Sequence, residues 1–212
     1  MLSYLYPVRV KHMVGINRPL EIYMYCGQWQ LATNDALYSD GNRYRPVLAA
    51  FKKLKHKLPQ VHKVLVLGTG LGSAVKILND KGFYPQITLV DIDKQILKWA
   101  LEFCDDDALP YITPICDDAN AFVKQCYVKF DMIIVDIFRG REVPGFVMGA
   151  TFLSHCRRLL NNGGCLMLNY IINNEDDWLP AKTNFFNVFP DSEIIEMDIN
   201  RIFIANIPSA TS

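Results

Sequence analysis

Residues 64–67, Val-Leu-Val-Leu, run without a polar break into Gly68-Thr69-Gly70-Leu71-Gly72-Ser73. A short strand with no polar face must be covered on both sides. A glycine-rich turn straight after it lets the chain reverse into a helix and lets the backbone approach a ligand closely. Few folds accommodate that join. The residues beyond it repeat the same alternation. Apolar strands are predicted at 87–90, 132–135 and 165–171, with a weaker one at 112–116 where Pro114 interrupts the ladder. Helices are predicted at 73–81, 94–104, 119–126, 146–160 and 176–189, and a hairpin at 192–197 and 201–206 around Asp198 to Asn200.

Strands of this kind separated by helices predict an α/β fold. It is a Rossmann-like, doubly wound, mostly parallel sheet with an antiparallel C-terminal hairpin. Residues 1–45 are different in composition. Leu20, Ile22 and Met24 alternate with Glu21, Tyr23 and Tyr25, Cys26-Gly27 breaks the run, and residues 28–32 resume it. This predicts a small N-terminal β-hairpin region, with turns at Asn34-Asp35 and Ser39 to Asn42, leaving 46–212 as the main domain. A helix is predicted over 46–58, its lysines on a solvated face opposite Leu48, Phe51, Leu54 and Leu58.

The 212 residues carry 22 basic and 22 acidic side chains. A net charge of zero argues against a nucleic-acid partner or an anionic membrane surface. No run reaches the roughly 18 apolar residues of a membrane span, and the first residues lack the pattern of a secretory signal. Six cysteines without a C-x-x-C pair are expected to be reduced, mostly buried thiols of a cytoplasmic protein. Asp105-Asp106-Asp107 lacks any His or Cys partner spacing, so no metal site is expected.

Acidic residues fall where open α/β sheets bind ligands, at the carboxyl ends of parallel strands. Asp91 lies 23 residues after Gly68, where a carboxylate can accept hydrogen bonds from ribose hydroxyls. Asp93 is assigned to capping the next helix. Asp118 is placed both to cap a helix and to bind. Asp136 follows four apolar residues with no helix directly after it, so burial would be costly unless the carboxylate is hydrogen-bonded or used. The absence of Gly-Lys-Ser/Thr excludes a Walker loop, and Ser73 in place of the third glycine weighs against a nicotinamide site.

Taken in order, these segments resemble the spermidine synthase-like branch of the S-adenosylmethionine-dependent, class I methyltransferase-fold transferases. Residues 64–72 are similar to that family's strand-turn-helix motif, and Asp91 matches its ribose carboxylate. Asp117-Asp118-Ala119 resembles the stretch that contacts adenine. Phe130 to Asp136 looks like "YDVIIVD". Gly27-Gln28-Trp29-Gln30-Leu31 looks like "G-x-x-Q-L", with Asn34-Asp35 and Tyr38 after it. The resemblance implies S-adenosylmethionine or its decarboxylated form as co-substrate. It implies contacts from Gly68, Thr69, Gly70, Gly72, Asp91, Ile92, Asp118 and Ala119, a catalytic Asp136, and a homodimer to which the N-terminal region, with Tyr23, Tyr25 and Trp29, contributes.

Two departures bear on the acceptor. The family's glycine loop carries Asp where this chain has Leu71. Its "D-S-S-D-P" reads Asp136-Ile137-Phe138-Arg139-Gly140 here, so the second carboxylate is replaced by a guanidinium. A cation repels a diammonium substrate and attracts a carboxylate or phosphate. The expectation is therefore transfer, methyl favoured, to a small non-diamine acceptor. Gln30, Tyr38 and Arg139 would line the acceptor pocket, and residues 139–148 would form a lid over it. Gln30 and Tyr38 also have a reading as simple hairpin packing, and Arg139 and Arg141 as solvent-exposed loop residues. The alternatives are a polyamine aminopropyltransferase, or a non-catalytic nucleoside-binding or assembly module on the same fold.

Overall fold

The computed structural model describes residues 2–14, 19–32 and 37–209. The turn expected at Asn34-Asp35 lies outside them. Eleven strands among the described residues form two sheets. The first is an antiparallel meander of β1 (Val8–Val14), β2 (Pro19–Tyr25), β3 (Gln28–Ala32) and β4 (Leu37–Asp40). It is larger than the predicted hairpin. Residues 8–14 supply a further strand, and the segment read as a turn at 39–42 is strand through Asp40.

The second sheet holds β5 (Lys63–Leu67), β6 (Gln86–Asp91), β7 (Ile112–Cys116), β8 (Phe130–Val135), β9 (Leu160–Ile171), β10 (Ser192–Met197) and β11 (Asn200–Asn206). Their order is β10-β11-β9-β8-β5-β6-β7. Strands β5 to β9 pair in parallel, and the β10–β11 hairpin adds antiparallel to β9. Pro114 is tolerated because β7 is an edge strand, so its missing N–H breaks no second ladder.

Successive residues of each central strand serve opposite helix layers. Val64 and Val66 join a core with Val47 and Phe51 of α1 (Arg45–Lys53) and Val75 and Leu78 of α2 (Ser73–Asp80). Leu97 of α3 (Lys94–Glu102) completes that layer. Leu65 and Leu67 face the other layer, with Val123 of α4 (Ala119–Gln125), Phe152 of α5 (Ala150–Leu159) and Phe185 of α6 (Glu175–Val188). Two-sided burial is why these strands read as unbroken apolar runs. Two predicted helices are shorter than expected: α1 ends at Lys53, and residues 145–148 form a separate turn of 3₁₀ helix before Gly149 starts α5.

A third apolar cluster joins the two sheets. Leu20, Ile22 and Leu31 of the meander meet Leu71, Ile96 and Trp99. Trp29 stacks on Phe103 of the same chain at 4.4 Å between ring centres. That aromatic, read from sequence as part of an interface, is thus engaged within its own subunit. All six cysteines are free thiols. Against the expectation of mostly buried thiols, only Cys156 and Cys165 are buried; Cys26, Cys104 and Cys126 are half-buried and Cys116 is exposed. No helix among the described residues is long and apolar enough to cross a membrane.

Candidate functional site

The chain order reverses between β5 and β8: β6 and β7 lie to one side of β5, β8 and β9 to the other. At such a switch point the loops leave in opposite directions and open a crevice at the carboxyl ends of the strands. Gly68 occupies that point at φ +85°, and a Cβ there would stand 2.3 Å from the Asp136 carbonyl oxygen. Its glycine thus answers to the close approach of two strand ends. Gly70 has the same relation to the meander, where a Cβ would meet the Tyr38 carbonyl oxygen at 3.0 Å.

Most of the predicted site residues line this one cleft: Gly68, Thr69 and Gly70 from the turn, Asp91 and Ile92 after β6, Asp118 and Ala119 after β7, and Asp136 and Arg139 after β8. Tyr38 reaches it from the meander. Two predicted residues do not line it. Gly72 is the left-handed N-cap of α2, a backbone role. Gln30 donates its side-chain amide to Asp40 Oδ1 at 2.8 Å, within the meander.

Asp91 is held by backbone amides. Thr69 N–H donates to Oδ2 and Asp93 N–H to Oδ1, both at 2.9 Å. Each carboxylate oxygen keeps a lone pair for a further donor, as two ribose hydroxyls would supply. Burial raises the Asp91 carboxyl above the usual range, against the backbone amides of Thr69, Asp93 and Ile92 that lower it. Asp93 caps α3 by accepting from Gln95 N–H at 2.8 Å, as expected. Asp118 caps α4 by accepting from Ala121 N–H at 3.0 Å while lining the cleft, so its two roles coexist. Ile92 is 37% exposed at the cleft, an apolar surface suited to a flat ring. Thr69 Oγ1 is buried without a hydrogen-bond partner among the described residues, a donor left over for a ligand.

Asp136 carries the most elaborate support. Its Oδ1 accepts from Asn169 Nδ2 at 2.8 Å and from Tyr44 Oη at 3.2 Å. Asn169 Oδ1 in turn accepts from Asn200 Nδ2 at 2.8 Å. Burial pushes the Asp136 carboxyl up to about 6, although both donors favour the anion. Burial and the adjacent carboxylate push the Tyr44 phenol well above its usual range, so it remains a donor. Tyr44, Asn169 and Asn200 were not singled out from sequence. Asn169 did leave a signal, a polar residue inside the apolar run 165–171; Tyr44 and Asn200 left none.

The segment after β8 is tied down at several points. Arg139 and Glu142 exchange backbone hydrogen bonds at 2.9 and 3.2 Å, Gly140 N–H donates to Tyr38 Oη, and Asn173 Nδ2 donates to the Arg141 carbonyl at 2.8 Å. Pro144 and Phe146 line the cleft. Residues 139–148, the segment read from sequence as a lid, are thus tied to Tyr38 and Asn173 beside the cleft. Leu71, where the resemblance implied a carboxylate, is 7% exposed in the cluster joining the sheets.

The model of the spermine/spermidine synthase domain matches residues 42–204. The chain belongs to this family. One relative, the N-terminal histidine N-methyltransferase of Emericella nidulans, is 31% identical over 142 residues, 59% of this chain and 25% of that protein. The probable polyamine aminopropyl transferase of Bifidobacterium longum is 32% identical over 110 residues, 51% of this chain and 24% of its own length. The chain thus spans about a quarter of each of these two relatives.

Solved structures share the fold. A probable spermidine synthase from Corynebacterium glutamicum superposes with a TM-score of 0.75 at 18% identity, over 95% of this chain and 80% of that one. A spermidine synthase in complex with the transition-state analogue AdoDATO gives 0.71 at 15%, over 93% and 73%. Human methyltransferase-like protein 13 in complex with SAH gives 0.63 at 19%, over 81% and 83%. The spermidine synthase-like architecture on the methyltransferase scaffold is therefore the fold of this chain.

Proposed function

We propose that the protein is a group transferase whose donor is S-adenosylmethionine or its decarboxylated form, with methyl the favoured group and a small non-diamine molecule the acceptor. The observation that carries this reading is the convergence of Asp91, Asp118 and Asp136, from the ends of three parallel strands, on one cleft. Asp91 is suited to ribose hydroxyls, Ile92 and Ala119 to the faces of a base, and Asp118 to its exocyclic amine. The orphaned Thr69 hydroxyl and the lone pairs left on Asp91 fit such a nucleoside.

A sulfonium donor supplies an electrophilic carbon that needs little covalent help, so the protein's work is alignment and proton acceptance. The acceptor's lone pair forms a bond to that carbon, and the carbon–sulfur pair leaves with sulfur. The acceptor's proton passes to the Asp136 carboxylate. With its carboxyl near 6, Asp136 is ionised at neutral pH yet basic enough to take a proton. Leu71 in the core and Arg139 in the cleft support a non-diamine acceptor, because both stand where the family resemblance places carboxylates. The name of the Emericella relative supports methyl; the name of the Bifidobacterium relative and the retained Asp136 support aminopropyl transfer as the second reading.

The reading includes a homodimer; exposed Leu5 and Val10 near and on the meander support a contact there, and sedimentation equilibrium tests it.

The transferase reading is tested by thermal unfolding with S-adenosylmethionine, decarboxylated S-adenosylmethionine, 5′-methylthioadenosine and NAD. A ligand at 100 times its Kd stabilises by about 2.7 kcal/mol, roughly 5–10 °C at this chain length. A larger shift with S-adenosylmethionine than with the decarboxylated form is expected. The reverse order selects aminopropyl transfer, and no shift with any sulfonium or thioether nucleoside removes the donor site.

A further inference from the structure

Beside the nucleoside cleft lies a second cavity of about 270 Å³. Tyr38 and Phe138 line both spaces, so the two adjoin there. Tyr44, whose hydroxyl bonds Asp136, and Asn200, whose amide bonds Asn169, face the second cavity. The network that holds Asp136 therefore begins in the second cavity and ends in the first. A molecule seated there would adjoin the donor cleft where Tyr38 and Phe138 border both, one hydrogen bond from Asp136 through Tyr44.

The charges around this cavity have one sign left over. Arg43, Arg45 and Arg141 line it, with Asp40 and Asp198. Arg43 pairs with Asp40 at 2.9 Å, and Asp40 also accepts from Gln30. Arg45 pairs with Asp198 at 3.0 Å. Both carboxylates are thus occupied, and among the described residues no carboxylate pairs with Arg141. Arg141 flanks Gly140, the residue Tyr38 clamps, so its backbone is held while its side chain is exposed. The remaining surface is largely apolar, from Leu37, Pro46, Ile171, Met197 and Ile199.

We propose that this second cavity is the acceptor pocket of the transferase, and that it takes a small carboxylate with an apolar body, its anion held by Arg141. This rests on the transferase reading. One free guanidinium presents the paired N–H groups that a planar carboxylate accepts. A dication would meet an uncompensated arginine and two carboxylates already engaged, and so would be repelled. The apolar walls select against short hydrophilic acids and for a hydrocarbon-bearing one.

The test is thermal unfolding of the full chain with hexanoate, 4-phenylbutyrate or putrescine, at fixed ionic strength, with and without saturating 5′-methylthioadenosine. The two carboxylates are expected to raise the midpoint and putrescine is not. Arg141→Gln is expected to weaken carboxylate binding roughly tenfold or more while leaving the nucleoside's own shift intact. A carboxylate shift insensitive to Arg141→Gln, no carboxylate shift in either state, or a shift with putrescine alone would overturn the proposal. An Arg141-dependent shift in a protein that ignores the nucleoside would keep the anion pocket and remove the donor reading. The two failures are therefore distinguishable.

Discussion

Asn169 Nδ2 lies 2.8 Å from Asp136 Oδ1; Asn169 sits within β9 and Asp136 directly after β8, its parallel neighbour. Asn169 is 1% exposed. A buried amide with partners on both its nitrogen and its oxygen is oriented, and it orients the carboxylate it touches.

Asn169→Ala removes a donor that favours the Asp136 anion. The carboxyl is then expected to move further above its present value of about 6. The acid limb of a kcat against pH profile should shift upward and kcat at neutral pH should fall, with nucleoside affinity unchanged. Asn169→Gln should restore part of the limb; a profile identical to the parent's would remove Asn169 from any positioning role.

Burial raises the Asp136 carboxyl in the folded state to about 6, against an ordinary value of 3.8. Between those values the native state binds more protons than the unfolded one, so stability falls as pH rises through the window. The loss is complete above about 6 and amounts to at most about 3 kcal/mol. Asp136→Asn removes the titration. It is expected to raise the unfolding midpoint at pH 7.5 relative to pH 4.5, while turnover drops by about 10²–10⁴. Circular dichroism melts at the two pH values check the first half.

Gly68→Ala places a Cβ 2.3 Å from the Asp136 carbonyl oxygen, at φ +85°. Backbone cannot yield as a side-chain tip can, so a loss above about 3 kcal/mol is expected. Gly82 has a comparable φ of +79° with nothing within 4 Å of the added carbon. Gly82→Ala should therefore cost only about 1 kcal/mol. Urea unfolding of the two variants separates close approach from backbone strain.

Leu71→Asp introduces the acid that the family resemblance places at this position. Leu71 is buried with Leu20, Ile22, Leu31, Ile96 and Trp99. An unpaired carboxylate among them is expected to cost about 3–5 kcal/mol and to loosen the meander. Limited proteolysis between residues 32 and 45 should accelerate; gain of putrescine binding in a stably folded variant would contradict this placement.

Much of the central architecture was legible in the amino-acid order. Strands buried on both faces read as apolar runs, so 64–67 and 132–135 announced themselves, with 87–90 broken only by the half-buried Thr88, and the glycine turn and following acids marked the ligand edge of the sheet. Local chemistry likewise identified Asp93 as a cap. The N-terminal region was harder. Half-buried antiparallel strands carry a weaker signal, and the covering of Trp29 by Phe103 depends on a partner far along the chain.

What only the tertiary structure decided is which distant residues meet. Tyr44 and Asn169 touch one carboxylate oxygen from 92 and 33 positions away. Gln30 turned to Asp40 and not to the cleft, and Leu71 became a core residue because the meander lies over it. Periodicity and turn chemistry are local and are written along the chain. Hydrogen bonds between side chains and the electrostatic surplus at Arg141 depend on how strand ends and loops converge, and that convergence exists only once the sheet has formed.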